Sequence, residues 1–219
     1  CDQVRSYNFA LGSKIERLEL YSDKPGSGFS SLLNRRMDHF GKEFFSQEIV
    51  EVKTLDDFIE QESVKPDILK IDVEGYEEKV LKGFNKLMKN NKIFIQIEIF
   101  NKNFNLIDKL LKKNNANFII NYCVNLYPAP LNLINLNELN FIKSITPNKL
   151  IGYSDHTSSL SASLSSLFFG VSLIEKHFSL NKKKSGPDIS CSMDANELNF
   201  LINLSYEIYD LLKVKKSIN

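Results

Sequence analysis

The chain has 219 residues, enough for one large α/β domain or two small ones. Hydrophobic residues make up 42% and charged residues 25% of the sequence, proportions that are typical of a water-soluble globular protein. The formal net charge of +1 gives no electrostatic reason to expect nucleic acid or a membrane surface as a partner.

Hydrophobic spacing in the first half predicts alternating strands and helices. Thr54 is the predicted cap of the helix at 55–62, because Asp57 lies three residues further on. The Gly-Ser-Gly run at 26–28 is interpreted as a flexible turn rather than a phosphate cradle, because no strand leads directly into it. The predicted strands are 4–11, 15–22, 68–71 and 93–100, together with one that ends near residue 53. The later predicted helices are 77–90 and 104–113.

Two carboxylates, Asp72 and Glu74, directly follow the predicted strand 68–71. Strands that alternate with helices form parallel sheets, and ligands lie at the carboxyl ends of such strands. The pair could bind a cofactor amine, orient a hydroxyl or act as a base. The alternative is that the two side chains only cap the following helix.

The second half predicts three strand-loop-helix units and a last helix that begins with the capping box Asp194 and Glu197. A helix of small residues is expected to end at Gly170. The predicted strands are 117–123, 149–154 and 171–178, with a helix around 137–145. One apolar stripe is expected on the last helix: Leu198, Leu201, Ile202, Ser205, Ile208, Leu211 and Leu212.

Polar residues lie at or just beyond the end of each strand in this half, where a (β/α)₈ barrel holds its catalytic groups. The set consists of Asn125 and Tyr127, Ser154 and His156, and Glu175 and His177. Ser154, Asp155 and His156 do not predict a hydrolase, because adjacent side chains diverge and no Gly-x-Ser-x-Gly motif is present. Two histidines at the ends of neighbouring strands favour a divalent metal such as Mn²⁺.

The cysteines indicate the compartment. Cys1, Cys123 and Cys191 lie far apart in the sequence and suggest neither a disulfide framework nor a zinc site. No apolar run reaches the roughly 18 residues of a membrane span, and no signal peptide is recognisable. We therefore expect a cytoplasmic protein without a membrane partner.

The segments ALGSKIERLELY, GFSSLLNR, VKTLDDFI, LKIDVEGYEEKVLKG and IFIQIEIF resemble, in this order, the FkbM-type methyltransferase family. The resemblance covers about residues 3–112 and implies a Rossmann-like, doubly wound sheet and methylation of sugar or natural-product hydroxyls with S-adenosylmethionine (SAM). It also implies that Asp72 and Glu74 border the cofactor cleft. The family's glycine-rich turn and ribose-binding acid would precede residue 3, so we expect SAM as a cofactor only if an upstream segment is present.

The motifs CVNLYPAP, IGYSDHT, GVSLIEKHF and GPDISCSM resemble the N-acetylneuraminate (sialic acid) synthase family, also called the NeuB family, over about residues 105–212. The resemblance implies a (β/α)₈ barrel that condenses phosphoenolpyruvate with an N-acetylated aldehyde sugar, using a divalent metal, usually Mn²⁺. It assigns the metal to His156 and His177, and the phosphoenolpyruvate phosphate to Asn125 and Ser154. Tyr127 and Asp188 would contact the sugar, and Glu175 and Asp188 are the candidate catalytic residues.

The two resemblances divide the chain into a partial methyltransferase domain, 1–112, and a partial synthase barrel, 113–219. We expect a partial Rossmann-like sheet followed by the last three β/α units of the barrel, and these can merge into one open parallel sheet. Its open edges favour self-association. Gene rearrangement and a joining error in an assembled sequence both explain such a junction.

Three functions remain open: a synthase of sialic-acid-like sugars, a sugar O-methyltransferase, and a catalytically silent fusion. The resemblance implies that the first five barrel strands, with the lysines that neutralise phosphate and carboxylate, would stand where the methyltransferase-like segment lies. We therefore expect this chain alone to be inactive as a synthase.

Overall fold

The computed structural model describes residues 3–22, 30–34, 46–89, 93–99, 104–147, 149–183, 186 and 188–213. The chain forms two compact units, Cys1–Phe118 and Ile119–Asn219. The Gly-Ser-Gly run at 26–28 lies outside the described residues.

The first unit begins with a small sheet that contains strands β1 (Ala10–Leu11), β2 (Glu16–Ser22) and β3 (Ser46–Lys53). Strand β1 pairs with β3 in parallel, and β2 pairs with β3 antiparallel. The predicted strand 4–11 is wrong over most of its length, since only its last two residues are β-structure. The Tyr7 and Phe9 rings instead pack on Phe58, with ring centroids 4.8 and 5.3 Å away.

Helix α1 (Leu55–Glu62) begins as predicted, at a Thr54 cap. The Thr54 hydroxyl accepts a hydrogen bond from the backbone N–H of Asp57 at 3.0 Å and donates one to the Asp57 carboxylate at 2.6 Å. This satisfies one of the N–H groups that a helix leaves unpaired at its start.

The helix predicted over 77–90 is wrong, because the structure divides it into α2 (Glu77–Lys82) and α3 (Asn85–Met88). At Gly83 between them a β-carbon would collide with the carbonyl oxygen of Gly12. The Asp56 carboxylate accepts hydrogen bonds from the backbone N–H groups of Asn85 and Lys86, at 2.8 and 2.9 Å. A side chain from α1 thus caps the start of α3. Hydrophobic periodicity along the sequence does not predict this contact between two helices.

Strands β4 (Ile68–Ile71) and β5 (Phe94–Ile99) pair in parallel, and α4 (Phe104–Lys113) follows them. Ile107 and Leu111 are fully buried, so α4 carries the apolar face that its spacing predicts. The predicted strands and helix of this part of the chain are confirmed.

The second unit contains β6 (Asn117–Cys123), whose first two residues fall in the first unit, then β7 (Leu150–Asp155) and β8 (Leu173–Lys176). These strands are parallel, and β7 pairs with both of the others. Helices α5 (Asn137–Ile145), α6 (Ser161–Ser166) and α7 (Ala195–Lys213) alternate with them. Gly170 ends the segment that continues α6, with a left-handed φ of 76°, as predicted. Parallel strands that alternate with helices confirm the α/β class.

Helix α7 begins at the predicted capping box. The Asp194 carboxylate accepts from the N–H of Glu197, and the Glu197 carboxylate accepts from the N–H of Asp194, each at 2.9 Å. The predicted apolar stripe is only partly buried: Leu201 and Ile208 are in the core, whereas Leu211 is 72% exposed. No helix among the described residues has both the length and the apolar character needed to cross a membrane.

A buried ion pair joins β7 to β8. Lys176 Nζ lies 3.1 Å from Asp155 Oδ2, and the two side chains are 2% and 0% exposed. The ammonium also donates to the carbonyl oxygen of Thr157 at 2.7 Å, and Asp155 accepts from the N–H of Thr157 at 2.8 Å. The hydroxyl of Ser163 donates to the same carboxylate, which ties α6 to the pair. The network therefore fixes the loop that leaves β7.

We predict that Lys176→Met lowers the free energy of unfolding by about 3–5 kcal/mol, because it leaves the Asp155 carboxylate buried without its counter-ion. Lys182→Met is the matched control. Lys182 forms an ion pair with Glu197 at 2.7 Å, and both side chains are more than a third exposed. That variant should cost about 1 kcal/mol or less. Urea denaturation followed by tyrosine fluorescence measures both, and equal losses would contradict the prediction.

Candidate functional site

The predicted cofactor edge of the first unit holds an ion-pair cluster. Lys70 Nζ lies 3.1 Å from Asp72 Oδ2 and 3.4 Å from Glu98 Oε1. Glu98 is buried at 3% exposure near the end of β5, whereas the Asp72 side chain is 37% exposed. A lysine of the chain itself therefore lies between Asp72, one of the two predicted cofactor residues, and Glu98.

The turn after Asp72 is closed by a residue that the sequence did not single out. Glu74 and Gly75 have positive φ angles of 55° and 100°. The carboxylate of Glu77 accepts hydrogen bonds from the backbone N–H groups of Gly75 and Val73, at 2.8 and 3.4 Å. Burial raises the pKa of Glu77 above its usual value, while these hydrogen bonds oppose the rise. Glu77 thus accepts two backbone N–H groups of this turn.

In the second unit, strand alternation separates two sets of side chains. The register aligns Cys123 with Ser154, and Ser154 with Glu175, so these three residues point to one face, called here the site face. Tyr122, Tyr153 and Asp155 point to the other face, where the two tyrosine rings stack with centroids 5.9 Å apart. Ser154 and Asp155 thus diverge, as the sequence predicts for adjacent residues of a strand.

His156 follows β7 and is buried at 3% exposure. Its Nδ1 lies 3.1 Å from the carbonyl oxygen of Val124 and 3.5 Å from Cys123 Sγ. Because a carbonyl oxygen only accepts, Nδ1 carries the proton in this contact and the lone pair resides on Nε2. Metal-binding histidines are usually oriented by such a hydrogen bond on the other ring nitrogen.

Tyr127, His156 and His177 form an aromatic group, called here the histidine cluster. The Tyr127 ring lies 4.2 Å from the His156 ring and 5.7 Å from the His177 ring, and the two histidine rings are 5.3 Å apart, all between centroids. A metal bound at about 2 Å lies roughly 3 Å from an imidazole centroid, so two ligating rings have centroids about 4.5–6 Å apart. The spacing of the two rings fits a shared divalent metal.

His177 is held by the chain that follows the last strand. Its carbonyl oxygen accepts from the N–H of Met193 at 2.8 Å, and Phe178 forms a parallel bridge with Met193. The segment before α7 thus bridges to the chain just beyond the end of β8 and fixes the backbone at His177.

Glu175 takes part in a contact across three strands. Nδ2 of Asn121 on β6 donates to Glu175 Oε2 on β8 at 3.0 Å. Between them on β7 lies Gly152, where a β-carbon would collide with Asn121 Oδ1. The absence of a side chain at Gly152 therefore makes room for the Asn121 amide.

The remaining predicted residues have different surroundings. Ser154 is buried at 2% exposure, and Asn125 is half-buried beyond the end of β6. Asp188 is exposed at the start of a 3₁₀ turn, where its backbone oxygen accepts from Ser192 Oγ at 2.7 Å and Cys191 Sγ at 3.2 Å. Burial raises the pKa of Cys191 to about 11, so this thiol stays protonated.

Sequence analysis missed Asn121 and Cys123, both on the site face. The signal was present: Asn121 interrupts the apolar run FIINYC, and a polar side chain in a buried strand needs a partner. It also precedes Cys123 and Asn125 at the spacing of one strand face. Its partner, Glu175, lies 54 positions away and is not evident from the sequence.

Two family models match the chain. Residues 95–217 match the NeuB family, and residues 2–120 match the methyltransferase FkbM domain. Both matches include α4.

Two curated proteins are similar to this chain, each over less than half of its length. N,N'-diacetyllegionaminic acid synthase of Campylobacter jejuni is 42% identical over 96 residues, which are 42% of this chain and 28% of that protein. An uncharacterised protein of Methanocaldococcus jannaschii is 40% identical over 96 residues, 43% of this chain and 28% of that one. The chain thus spans about a quarter of the length of these curated relatives.

The fold of this chain is also similar to that of a solved structure. The crystal structure of N-acetylneuraminic acid synthetase from Leptospira borgpetersenii matches with a TM-score of 0.62 and 22% identity, over 77% of this chain and 59% of that one. At this identity the match shows the fold alone. It confirms the predicted α/β fold of barrel type.

Proposed function

The chain belongs to the NeuB family over residues 95–217 and to the methyltransferase FkbM domain family over residues 2–120. On this basis we propose that its second unit carries the metal- and phosphate-binding part of a synthase of sialic-acid-like sugars. The observation that supports the proposal best is the histidine cluster. His156 presents the Nε2 lone pair, and His177 lies at a spacing that suits two ligands of one metal.

In this proposal, the predicted residues bind the metal, the phosphate and the sugar. His156 and His177 bind a divalent metal such as Mn²⁺, and Tyr127 packs on both rings and limits their rotation. Asn125 and Ser154 contact the phosphate of phosphoenolpyruvate. Glu175 places a carboxylate beside the metal ligands, two residues before His177 on the same strand face.

The substrates would be phosphoenolpyruvate and an N-acetylated aldehyde sugar, with Tyr127 and Asp188 as sugar contacts. When bound, the metal supplies Lewis acidity that polarises a carbonyl oxygen. The chain's own residues orient the two substrates so that the enolpyruvyl carbon faces the aldehyde carbon. Several sugars of this class differ only in their substituents, and the described residues do not favour one of them. Such a synthase would work in the cytoplasm.

We predict weak Mn²⁺ binding that depends on the histidine cluster. His156→Ala should lower the affinity by at least about tenfold, since it removes one of two protein ligands. His39→Ala, which replaces the third histidine of the chain, is the matched control and should bind as the wild type does. Electron paramagnetic resonance of the unbound aquo-Mn²⁺ ion measures the affinity. Equal affinity of the wild type and His156→Ala would remove the proposed site.

The chain by itself should not consume phosphoenolpyruvate at a measurable rate. Phosphoenolpyruvate carries close to three negative charges, and the loss of one preorganised electrostatic donor typically costs about 10²–10³ in rate. In the NeuB resemblance the neutralising lysines belong to strands that the methyltransferase-like segment replaces. An assay with phosphoenolpyruvate, N-acetylmannosamine and Mn²⁺ measures this. Turnover within about a hundredfold of an intact synthase, lost in His177→Ala, would contradict the prediction.

A sugar O-methyltransferase is the second candidate, supported by the family match over residues 2–120 and by the carboxylates at the ends of β4 and β5. We predict that this chain does not retain SAM at micromolar concentrations, because the Lys70 ammonium already lies between Asp72 and Glu98 and competes with a cofactor amine. Equilibrium dialysis with labelled SAM measures the binding. A micromolar dissociation constant that Asp72→Asn weakens would instead favour the methyltransferase.

A further inference from the structure

We infer that Asn121 is a positioning residue, which holds the carboxylate of Glu175 in place beside the metal ligands through one hydrogen bond across Gly152. The inference rests on the proposed function where it concerns metal binding. The contact itself is a property of the second unit and is tested separately.

The direction of the hydrogen bond follows from the chemistry of the two groups. A carboxylate only accepts, so the Asn121 amide must present Nδ2 to Glu175, as the 3.0 Å contact has it. The opposite orientation would place two oxygens against each other. Asn121 is completely buried, and within the described part of the chain its Oδ1 has no hydrogen-bond partner. Within the described part of the chain, the side-chain amide of Asn121 therefore makes its hydrogen bond to Glu175.

Gly152 makes the contact possible. Asn121 and Gly152 are register partners on β6 and β7, and Gly152 pairs in turn with Leu173 on β8. Any side chain at 152 would occupy the space of Asn121 Oδ1. The amide therefore spans the middle strand and reaches Glu175, which lies two residues beyond Leu173 towards the carboxyl end of β8.

The contact restricts a flexible acidic side chain. A glutamate has three rotatable side-chain bonds, and ordering such a side chain costs conformational entropy. A donor on Oε2 restricts the rotation of the Glu175 carboxylate. Groups that orient metal-ligating residues typically contribute about 10–100-fold to metal affinity, and the oriented Glu175 carboxylate borders the two histidine ligands. Asn121 thus acts through Glu175 and does not contact the metal or the substrates.

The hydrogen bond is tested first without any metal. In ¹⁵N-labelled protein, the side-chain amide of Asn121 is identified as the signal that disappears in Asn121→Leu. We expect its protons to exchange slowly with water and its resonances to move in Glu175→Gln. Fast exchange, or resonances that do not respond to Glu175→Gln, would overturn the inference.

The functional consequence is tested with a double-variant cycle on Mn²⁺ affinity, which uses Asn121→Leu, Glu175→Gln and both together. We expect about a tenfold loss in each single variant and no further loss in the double variant, because both remove the same oriented carboxylate. A purely structural role of Asn121 would give losses that multiply, and this outcome would overturn the inference.

Two further variants keep the test independent of general instability. Asn114→Leu is the matched control, because Asn114 is also buried and its Nδ2 donates to the Leu110 carbonyl in the first unit at 2.9 Å. It should leave Mn²⁺ affinity unchanged. Gly152→Ala should reproduce the loss seen in Asn121→Leu, and it should have little effect in an Asn121→Ala background. If the wild type binds no Mn²⁺, the proposed metal site fails, and the amide resonances alone decide whether Asn121 holds Glu175.

Discussion

The Asp155 carboxylate and the Lys176 ammonium lie together on the face of β7 and β8 opposite to the candidate site, without contact with solvent. Such a pair tolerates little displacement, because its mutual attraction must offset the large cost of removing two charges from water. Strand alternation then turns Ser154 and Glu175 to the site face. The hydrogen bonds between this pair and Thr157 fix the backbone immediately after His156. The positions of the candidate site residues thus depend on an interaction in which none of them takes part.

Local chemistry made several elements predictable. The caps at Thr54, Asp194 and Gly170 depend on residues within a few positions of each other, and the structure contains all three. The parallel strands of the second unit were likewise evident from apolar runs. The spacing of polar residues after each strand was sufficient to bring Tyr127, His156 and His177 into one group. These features depend on periodicity and on backbone geometry, which a single sequence contains.

Contacts between distant positions were not predictable. The break at Gly83 depends on the Gly12 backbone and on Asp56, which approach it from other elements. The short first strand results from Tyr7 and Phe9 packing on Phe58. On α7, Leu211 and Leu212 follow the predicted stripe but remain exposed, because helical periodicity alone does not specify how much of a helix its neighbours cover. Asn121 was overlooked for the same reason, since its partner Glu175 lies on the third strand.

The lack of a side chain at Gly152 restricts which residues can occupy positions 121 and 152 in chains with this backbone. As long as an asparagine occupies position 121, glycine is the only residue that leaves room for its amide at position 152. A larger residue at 152 therefore requires a smaller one at 121, and the two positions should covary although 31 residues separate them in the chain. Among related chains, a side chain at the position of Gly152 would identify those in which Glu175 must be oriented by another donor.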